Sequence, residues 1–307
     1  MAGLTLESAA LGGIVATFVP EAGMICCSLR HRGEELLGQR AGLRKYVESR
    51  STMGIPFLHP WANRLGASVF EVAGREVNLD LDGLPLKRDA NGLPMHGLLS
   101  AAPGWVVDRH AELDGGGLLA ASFDFGAYPR LLEAFPFPHR VEIEATLEGA
   151  TLKIATTVEA TGDVAVPIAF GFHPYLCLPG VPRADWVLEA PVGERLLLDE
   201  RGLPTGEREP VEIEPGPVGE RIYDDAFVAP AASEPFALEG GGRRIELRLG
   251  DGYPFTQIYA PGDTDAVAIE PMTAPTNALV VGGADLPLVE PGERLKAVWS
   301  LTLVKVT

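Results

Sequence analysis

The sequence predicts an all-β protein, a large antiparallel β-sandwich, and three observations support this prediction. Apolar and polar residues alternate with a period of two in segments spread along the whole chain, which is typical of half-buried strands. No segment sustains a helical period over more than about two turns. The 307 residues include 36 glycines and 26 prolines, which fits many short segments joined by turns. Strands in this number are expected to stack as two sheets around a core.

In chain order, the first predicted elements are a short helix near Leu43 and a hairpin over residues 70–79 that turns near Gly74. A second short helix is predicted near Leu131. The strands with the clearest alternation centre on four apolar sets: Val141, Ile143, Ala145 and Leu147; Leu152, Ile154 and Val158; Ile245, Leu247 and Leu249; Trp299, Leu301 and Leu303. Turn-rich loops are predicted over residues 80–94, 201–217 and 229–242. Without repeats or a long polar linker, we expect a single domain over residues 1–307.

Composition argues against several functional classes. The formal net charge of −17 disfavours nucleic acid, anionic membranes and heavily phosphorylated substrates as partners, and it favours a neutral ligand. The three cysteines, Cys26, Cys27 and Cys177, have neither metal-site spacing nor the even number of a disulfide framework, which suits a reducing cytoplasm. The apolar run over residues 9–19 is too short to span a bilayer, so we expect neither export nor membrane insertion.

The most informative stretch is residues 170–175, Phe-Gly-Phe-His-Pro-Tyr, which places an ionisable imidazole among aromatic rings. Pro174 disfavours the α conformation at His173, so this histidine is expected at the end of a strand and accessible to a ligand. Histidine titrates near neutral pH, and His173 is therefore a candidate general acid for a sugar-sized molecule. The alternative is a histidine at the edge of the core, hydrogen-bonded to backbone.

Four further stretches place polar groups among aromatic residues or prolines. Arg64 offers a planar guanidinium to ligand hydroxyls, and Asn63 adds a donor and an acceptor. His96 precedes a glycine, which allows close backbone approach to a ligand. Asp224 belongs to a pair of carboxylates, and Glu270 directly follows a nearly continuous apolar strand, where burial would raise its pKa towards that of a useful base. Each of these residues also has a structural alternative as a surface ion pair, turn residue or edge carboxylate.

Taken together, these motifs resemble those of the aldose 1-epimerase (galactose mutarotase-like) family. The motifs fall in the family's order and approximate spacing, and the resemblance covers nearly the full chain: Asn63-Arg64, His96-Gly97, His173-Pro174-Tyr175, Asp224-Asp225-Ala226-Phe227 and Glu270-Pro271. The resemblance implies a large antiparallel β-sandwich that binds a sugar and needs neither a metal nor another cofactor.

The resemblance also implies a role for each residue. Glu270 corresponds to the general base and His173 to the general acid, with Glu270 expected to have the lower pKa and His173 a near-neutral one. Arg64, Asn63, His96 and Asp224 correspond to residues that hold sugar hydroxyls. The implied activity is interconversion of the α and β anomers of a free aldose by ring opening and closure. Leu98 and Met272 depart from the galactose-type pattern, so the identity of the sugar stays open.

Three rival functions remain. An epimerase of hexose 6-phosphates on the same fold would need cations that face the phosphate, for which Arg64 and Arg88 are the candidates. A non-catalytic carbohydrate-binding protein is the second rival, and retention of both His173 and Glu270 argues against it. The third rival is a cupin-like metalloenzyme that would bind its metal through His59, His96, His173 and Glu270. The spacing of these residues is unlike that of metal motifs, and we interpret His59 as structural.

Overall fold

The computed structural model describes residues 1–230 and 234–305, and antiparallel strands dominate this part of the chain. The strands are β1 (Leu4–Ser8), β2 (Ile14–Val19), β3 (Ile25–His31), β4 (Glu34–Glu35), β5 (Phe57–Leu58), β6 (Val69–Val72), β7 (Arg75–Asn78), β8 (Lys87–Arg88), β9 (Pro94–Met95), β10 (Val106–Leu113), β11 (Gly116–Asp124), β12 (His139–Glu148), β13 (Thr151–Ala160), β14 (Val166–Pro167), β15 (Gly171–Phe172), β16 (Tyr175–Leu176), β17 (Val187–Ala190), β18 (Glu194–Leu198), β19 (Pro204–Pro210), β20 (Ile213–Pro217), β21 (Tyr223–Val228), β22 (Phe236–Gly240), β23 (Arg243–Leu249), β24 (Phe255–Ala260), β25 (Val267–Met272), β26 (Leu288–Val289) and β27 (Arg294–Lys305). The α-helices are α1 (Gly42–Ser49), α2 (Pro129–Ala134) and α3 (Ala278–Val281). Within the described residues, no helix has the length and apolarity needed to cross a bilayer.

Two large sheets form the body of the fold. One has nine strands in the order β10-β11-β12-β13-β27-β23-β22-β17-β20. The other has eight strands: seven in the order β19-β18-β21-β24-β25-β15-β5, with β16 also paired to β25. We call this second sheet the site sheet. Strands β1 to β4 form a smaller sheet at the N-terminal end of the chain.

The two large sheets share one apolar core. Val141 and Ile143 of the nine-stranded sheet belong to the same buried cluster as Ile258 and Ile269 of the site sheet. The ring centroids of Phe172, on the site sheet, and Trp299, on β27, are 5.3 Å apart. Strand alternation sends one set of side chains into this core, so the opposite face of the site sheet is left to carry polar groups.

The predicted all-β sandwich is confirmed, and so are its best-patterned elements. The alternation around Val141 corresponds to β12, whose side chains are buried and exposed in turn over residues 139–143. The hairpin over residues 70–79 corresponds to β6 and β7, joined through Gly74, whose φ of 71° belongs to the left-handed region. The helices near Leu43 and Leu131 correspond to α1 and α2.

All three predicted loops contain strands; residues 80–94 include the short strand β8 and the first residue of β9. Residues 201–217 contain β19 and β20, and residues 229–242 contain β22, although residues 231–233 lie outside the described part of the chain. The prolines and glycines in β19 and β20 suggested turns. Both strands are the outermost members of their sheets in the strand order, and an edge strand tolerates proline because its N–H groups need not complete a ladder.

Candidate active site

Three neighbouring strands of the site sheet hold a row of polar side chains on one face. The carboxylates are Asp224 on β21 and Glu270 on β25, and Gln257 lies between them on β24. Gln257 is directly opposite Glu270 in the strand register, and its Nε2 donates to Oδ1 of Asp224 at 2.8 Å. The two-residue period sends the neighbours Ile258 and Ile269 into the core. This row therefore lies on the face that the core does not use.

His173 follows the end of β15, as predicted from Pro174. Its backbone N–H donates to the carbonyl of Pro56 at 3.3 Å, and its ring stacks on Tyr175 with centroids 4.1 Å apart. The Tyr175 hydroxyl is hydrogen-bonded to Oγ1 of Thr52 at 2.7 Å. Stacking and the bonded hydroxyl together fix the plane of the imidazole. His173 is only 4% exposed, so it is buried more deeply than the sequence suggested.

Nε2 of His173 lies 3.1 Å from Oε1 of Glu270. Both atoms carry lone pairs in their unprotonated forms, so a contact this short requires one proton between them. Nδ1 of His173 and Oε2 of Glu270 have no hydrogen-bond partner among the described residues. Each side chain therefore keeps one free polar atom.

Burial acts on this pair in opposite directions. Desolvation raises the pKa of Glu270 well above its ordinary value; the nearby Asp224 adds to the shift, and Arg64 opposes it. Desolvation lowers the pKa of His173 to about 3, with smaller contributions from the cations Arg40 and Lys87. The order expected from the sequence, a low pKa at Glu270 and a near-neutral one at His173, is therefore wrong. Burial favours the uncharged carboxylic acid and the uncharged imidazole.

Arg64 is held by two carboxylates and by its neighbour. Its Nε lies 3.0 Å from Oδ2 of Asp89, and its Nη2 lies 3.7 Å from Oδ2 of Asp224. Its Nη1 donates to Oδ1 of Asn63 at 3.1 Å. Asn63 has a φ of 57°, in the left-handed region, which turns the chain at this point. These contacts hold the guanidinium at the base of the site.

His96 reaches the site through a tight turn. It has a φ of 63°, and its backbone N–H donates to the carbonyl of Asn63 at 2.9 Å. Its ring is 5.7 Å from that of His173 in an edge-to-face arrangement. Gly97 follows with a φ of 72°, and an added Cβ there would overlap the carbonyl of His59. Desolvation lowers the pKa of His96 well below its ordinary value, so the imidazole is neutral.

All six predicted site residues line one pocket of about 460 Å³, including the space open to solvent. They are Asn63, Arg64, His96, His173, Asp224 and Glu270. The pocket also contains Arg40, Thr52, Lys87, Met95, Tyr175 and Tyr259.

Several residues in or next to the pocket were missed in the sequence. Gln257 gave the clearest signal, because an amide within the apolar strand β24 needs a polar partner. Asp89, which pairs with Arg64, and the cations Arg40 and Lys87 lie in turn-rich segments, where charged residues are ordinarily solvated. Nothing in the sequence around these three residues indicates that they lie at the pocket.

Two residues of the rival hypotheses lie outside the pocket. Nε2 of His59 is 2.6 Å from Nε2 of His139, whose Nδ1 bonds the carbonyl of Phe137 at 2.5 Å, so His59 has the structural role expected of it. Arg88 bonds Ser68 and Asp80 instead of facing the site. Within residues 1–230 and 234–305, no cluster of three or more histidine, cysteine, aspartate or glutamate residues has the arrangement of a metal site.

The antiparallel two-sheet fold is that of the galactose mutarotase-like sandwiches. The model of the aldose 1-epimerase family matches residues 17–302, and the chain belongs to that family.

Similar proteins support the fold. A galactose mutarotase-like protein from Clostridium acetobutylicum superposes with a TM-score of 0.83 at 18% identity, covering 95% of this chain and 93% of that one. Galactose 1-epimerase from Lactobacillus acidophilus superposes with a TM-score of 0.76 at 14% identity, covering 96% and 92%. The Escherichia coli (strain K12) protein named uncharacterized protein YihR is 23% identical over 244 residues, 77% of this chain and 74% of that protein.

Proposed function

We propose that the protein is an aldose 1-epimerase that interconverts the α and β anomers of an aldose through the pair His173 and Glu270. The observation that carries this proposal is the 3.1 Å contact between Nε2 of His173 and Oε1 of Glu270 in a pocket lined by hydrogen-bonding groups. Anomer interconversion needs one group that removes a proton and one that delivers a proton, and this pair supplies both.

The proposed reaction conserves its protons. The Glu270 carboxylate takes the proton of the anomeric hydroxyl, and the protonated His173 gives one to the ring oxygen. The bond between C1 and the ring oxygen breaks as the C1 carbonyl forms. Rotation about the C1–C2 bond then presents the other face of the aldehyde, and the reverse transfers close the ring. The pair begins and ends each turnover with the same single proton.

The electrostatics of the pocket favour ring opening. Burial raises the pKa of Glu270, so its carboxylate is a stronger base, and burial lowers the pKa of His173, so its imidazolium is a stronger acid. Both proton transfers of the opening step therefore lead towards the uncharged forms that burial stabilises. The cost is that the charged form of the pair is the less populated one before reaction.

Four side chains are proposed to hold the sugar. Arg64 and Asn63 line the pocket and have N–H groups that can donate to sugar hydroxyls, and Asp224 supplies an acceptor that is held by Gln257. His96 is buried and neutral, and its Nδ1 has no partner among the described residues, so it is available to a sugar hydroxyl. These groups contact parts of the sugar that do not react, and they set its orientation.

The proposal is tested by following anomer exchange with NMR or polarimetry over a panel of aldoses. We expect at least one sugar to equilibrate faster with the protein than in buffer alone, without added metal or nucleotide and equally in the presence of a chelator. A protein that binds an aldose without accelerating its exchange would be the non-catalytic carbohydrate-binding alternative, and the proposed activity would then be wrong.

A further inference from the structure

Two cations that the proposed reaction does not use line the same pocket. Arg40 lies in the turn that precedes α1, and its Cζ stands 5.0 Å from the centroid of the Tyr175 ring. Lys87, on β8, is paired in the strand register with Met95, next to His96. The pocket therefore has one cation beside the ring that stacks on His173 and another beside His96.

Neither cation has a carboxylate partner. Arg64, the third cation of the pocket, is paired with Asp89 and Asp224. Over residues 1–230 and 234–305, the side chains of Arg40 and Lys87 form no ion pair, although the chain has 42 acidic residues against 25 basic ones. In so acidic a protein, two neighbouring unpaired cations at a pocket are a local excess of positive charge that a bound anion would neutralise.

We propose that the substrate is an aldose that carries an anionic group, and that Arg40 and Lys87 bind this group. The inference rests on the proposed function, because it assigns the substrate class of the same site. It replaces the neutral ligand that the net charge of the chain suggested. Surface charges farther away than about 8 Å are largely screened at physiological salt. The charge that a bound ligand experiences is therefore set by the cations of the pocket more than by the net charge of −17 of the whole chain.

The position of the cations indicates which carbon carries the anion. In the proposed reaction His173 protonates the ring oxygen, and in a hexopyranose that oxygen is bonded to C1 and C5. C1 must keep its reacting hydroxyl, and C6, which extends from C5, is a position from which a charged substituent reaches the vicinity of His173. Both cations act electrostatically on His173, where they add to the lowering of its pKa. A bound anion would offset that effect and help to keep the acid protonated.

Lys87 also corrects the cation pair expected for a phosphorylated sugar. That pair was Arg64 with Arg88, but Arg88 bonds Ser68, Asp80 and two backbone carbonyls outside the pocket. Adjacent residues of a strand point in opposite directions, so within β8 it is Lys87 that lines the pocket. Desolvation lowers the pKa of Lys87, and the neighbouring cations Arg40 and Arg64 lower it further. A bound anion would oppose all three effects, because it would stabilise the charged ammonium group.

The test compares anomer exchange of glucose and galactose with that of three acids that have the same ring: glucose 6-phosphate, 6-deoxy-6-sulfoglucose and glucuronate. We expect kcat/KM for at least one acid to exceed that for the neutral sugars at least tenfold, and the preferred acid identifies the anion. Arg40→Gln and Lys87→Gln should each raise KM for that acid about 10- to 100-fold, because a charge-assisted hydrogen bond is lost. Arg44→Gln is the matched control, since Arg44 lies on the adjacent α1 with its side chain 92% exposed.

Each outcome has a definite meaning. Equal or better exchange of a neutral aldose, with Arg40→Gln and Lys87→Gln behaving like the Arg44→Gln control, overturns the anionic substrate and leaves the proposed epimerase activity standing. Absence of exchange for every sugar of the panel overturns the proposed function and, with it, this inference. A circular dichroism spectrum for each variant separates a loss of fold from a loss of binding.

Discussion

His173 and Glu270 are in direct contact, with Nε2 of the imidazole 3.1 Å from Oε1 of the carboxyl group, and both are almost completely buried. The contact joins two strands of the site sheet, because Glu270 lies on β25 and His173 follows β15, the strand paired with it. One proton serves both groups. Their titrations are therefore coupled, and macroscopic pKa values belong to the pair instead of to either residue.

A double-mutant cycle should show this coupling in the rate. His173→Asn and Glu270→Gln each remove one proton transfer, so each single variant should lower kcat about 100- to 10,000-fold. The double variant should be little slower than the slower single variant, because the two groups act in one proton relay. Additive losses, measured by anomer exchange on the same sugar, would show that the residues act in separate steps.

Arg64→Ala should raise KM more than it lowers kcat, because Arg64 is proposed to hold the sugar equally in the ground and transition states. The carboxylate of Asp89 would also lose its partner, which should lower the free energy of unfolding by roughly 1 to 3 kcal/mol. Steady-state kinetics and urea unfolding measure the two effects separately. A large fall in kcat at constant KM would instead place Arg64 in the chemical step.

Gly97→Ala should destabilise the protein more than Gly92→Ala does. Both glycines have left-handed φ values, 72° and 76°, so both substitutions have a similar conformational cost of about 1 kcal/mol. Only at Gly97 would the added Cβ overlap the carbonyl of His59, whereas nothing lies within 4 Å of the position at Gly92. Equal unfolding free energies for the two variants would contradict a close approach of the backbone beside His96.

The buried histidines should make the protein sensitive to acid. Burial lowers the pKa of His139 to about 4, and it lowers the pKa values of His59 and His96 well below an unfolded value near 6.5. The unfolded chain then binds more protons than the folded protein below pH 6.5. The stabilisation is complete above this pH and is lost as the pH falls through the folded-state values, at up to about 1.4 kcal/mol per pH unit for each histidine.

Chemical denaturation at several pH values between 7.5 and 4.5 tests this dependence. The free energy of unfolding should decrease steadily as the pH is lowered from 7.5 to 4.5. His139→Gln should make this dependence on pH shallower by the contribution of one proton. The slope is the informative quantity, because the substitution also removes the hydrogen bond with His59 and lowers stability at every pH. An unchanged slope in His139→Gln would mean that His139 titrates alike in the folded and unfolded states.

The sequence predicted the fold where one strand face is buried and the other exposed. In β12, Val141 and Ile143 are buried and Glu142 is exposed, and this contrast is visible as alternation. The strands β19 and β20 escaped prediction because edge strands have few buried residues and tolerate prolines. Local composition alone does not distinguish such a strand from a loop. The single domain over residues 1–307 stays a prediction.

The site was predicted where a motif marks it and missed where only the tertiary structure creates it. Asn63, Arg64, His96, His173, Asp224 and Glu270 lie in motifs with aromatic or proline neighbours, and all six line the pocket. Arg40 comes from a turn and Lys87 from the short strand β8, and the two are distant in sequence. The order of the pKa values also depends on burial, which is set by residues far along the chain, so the sequence could not establish it.

The most direct test of the proposed chemistry is the rate of anomer exchange in Glu270→Gln, measured by NMR on the sugar that the wild-type protein exchanges best. Glutamine keeps the size of the side chain but removes the base, so kcat should fall about 100- to 10,000-fold while the circular dichroism spectrum is unchanged. Glu142→Gln, at an exposed position on β12, makes the same substitution away from the pocket and should retain the wild-type rate. A Glu270→Gln variant that exchanges the sugar as fast as this control would contradict the role of Glu270 as the base.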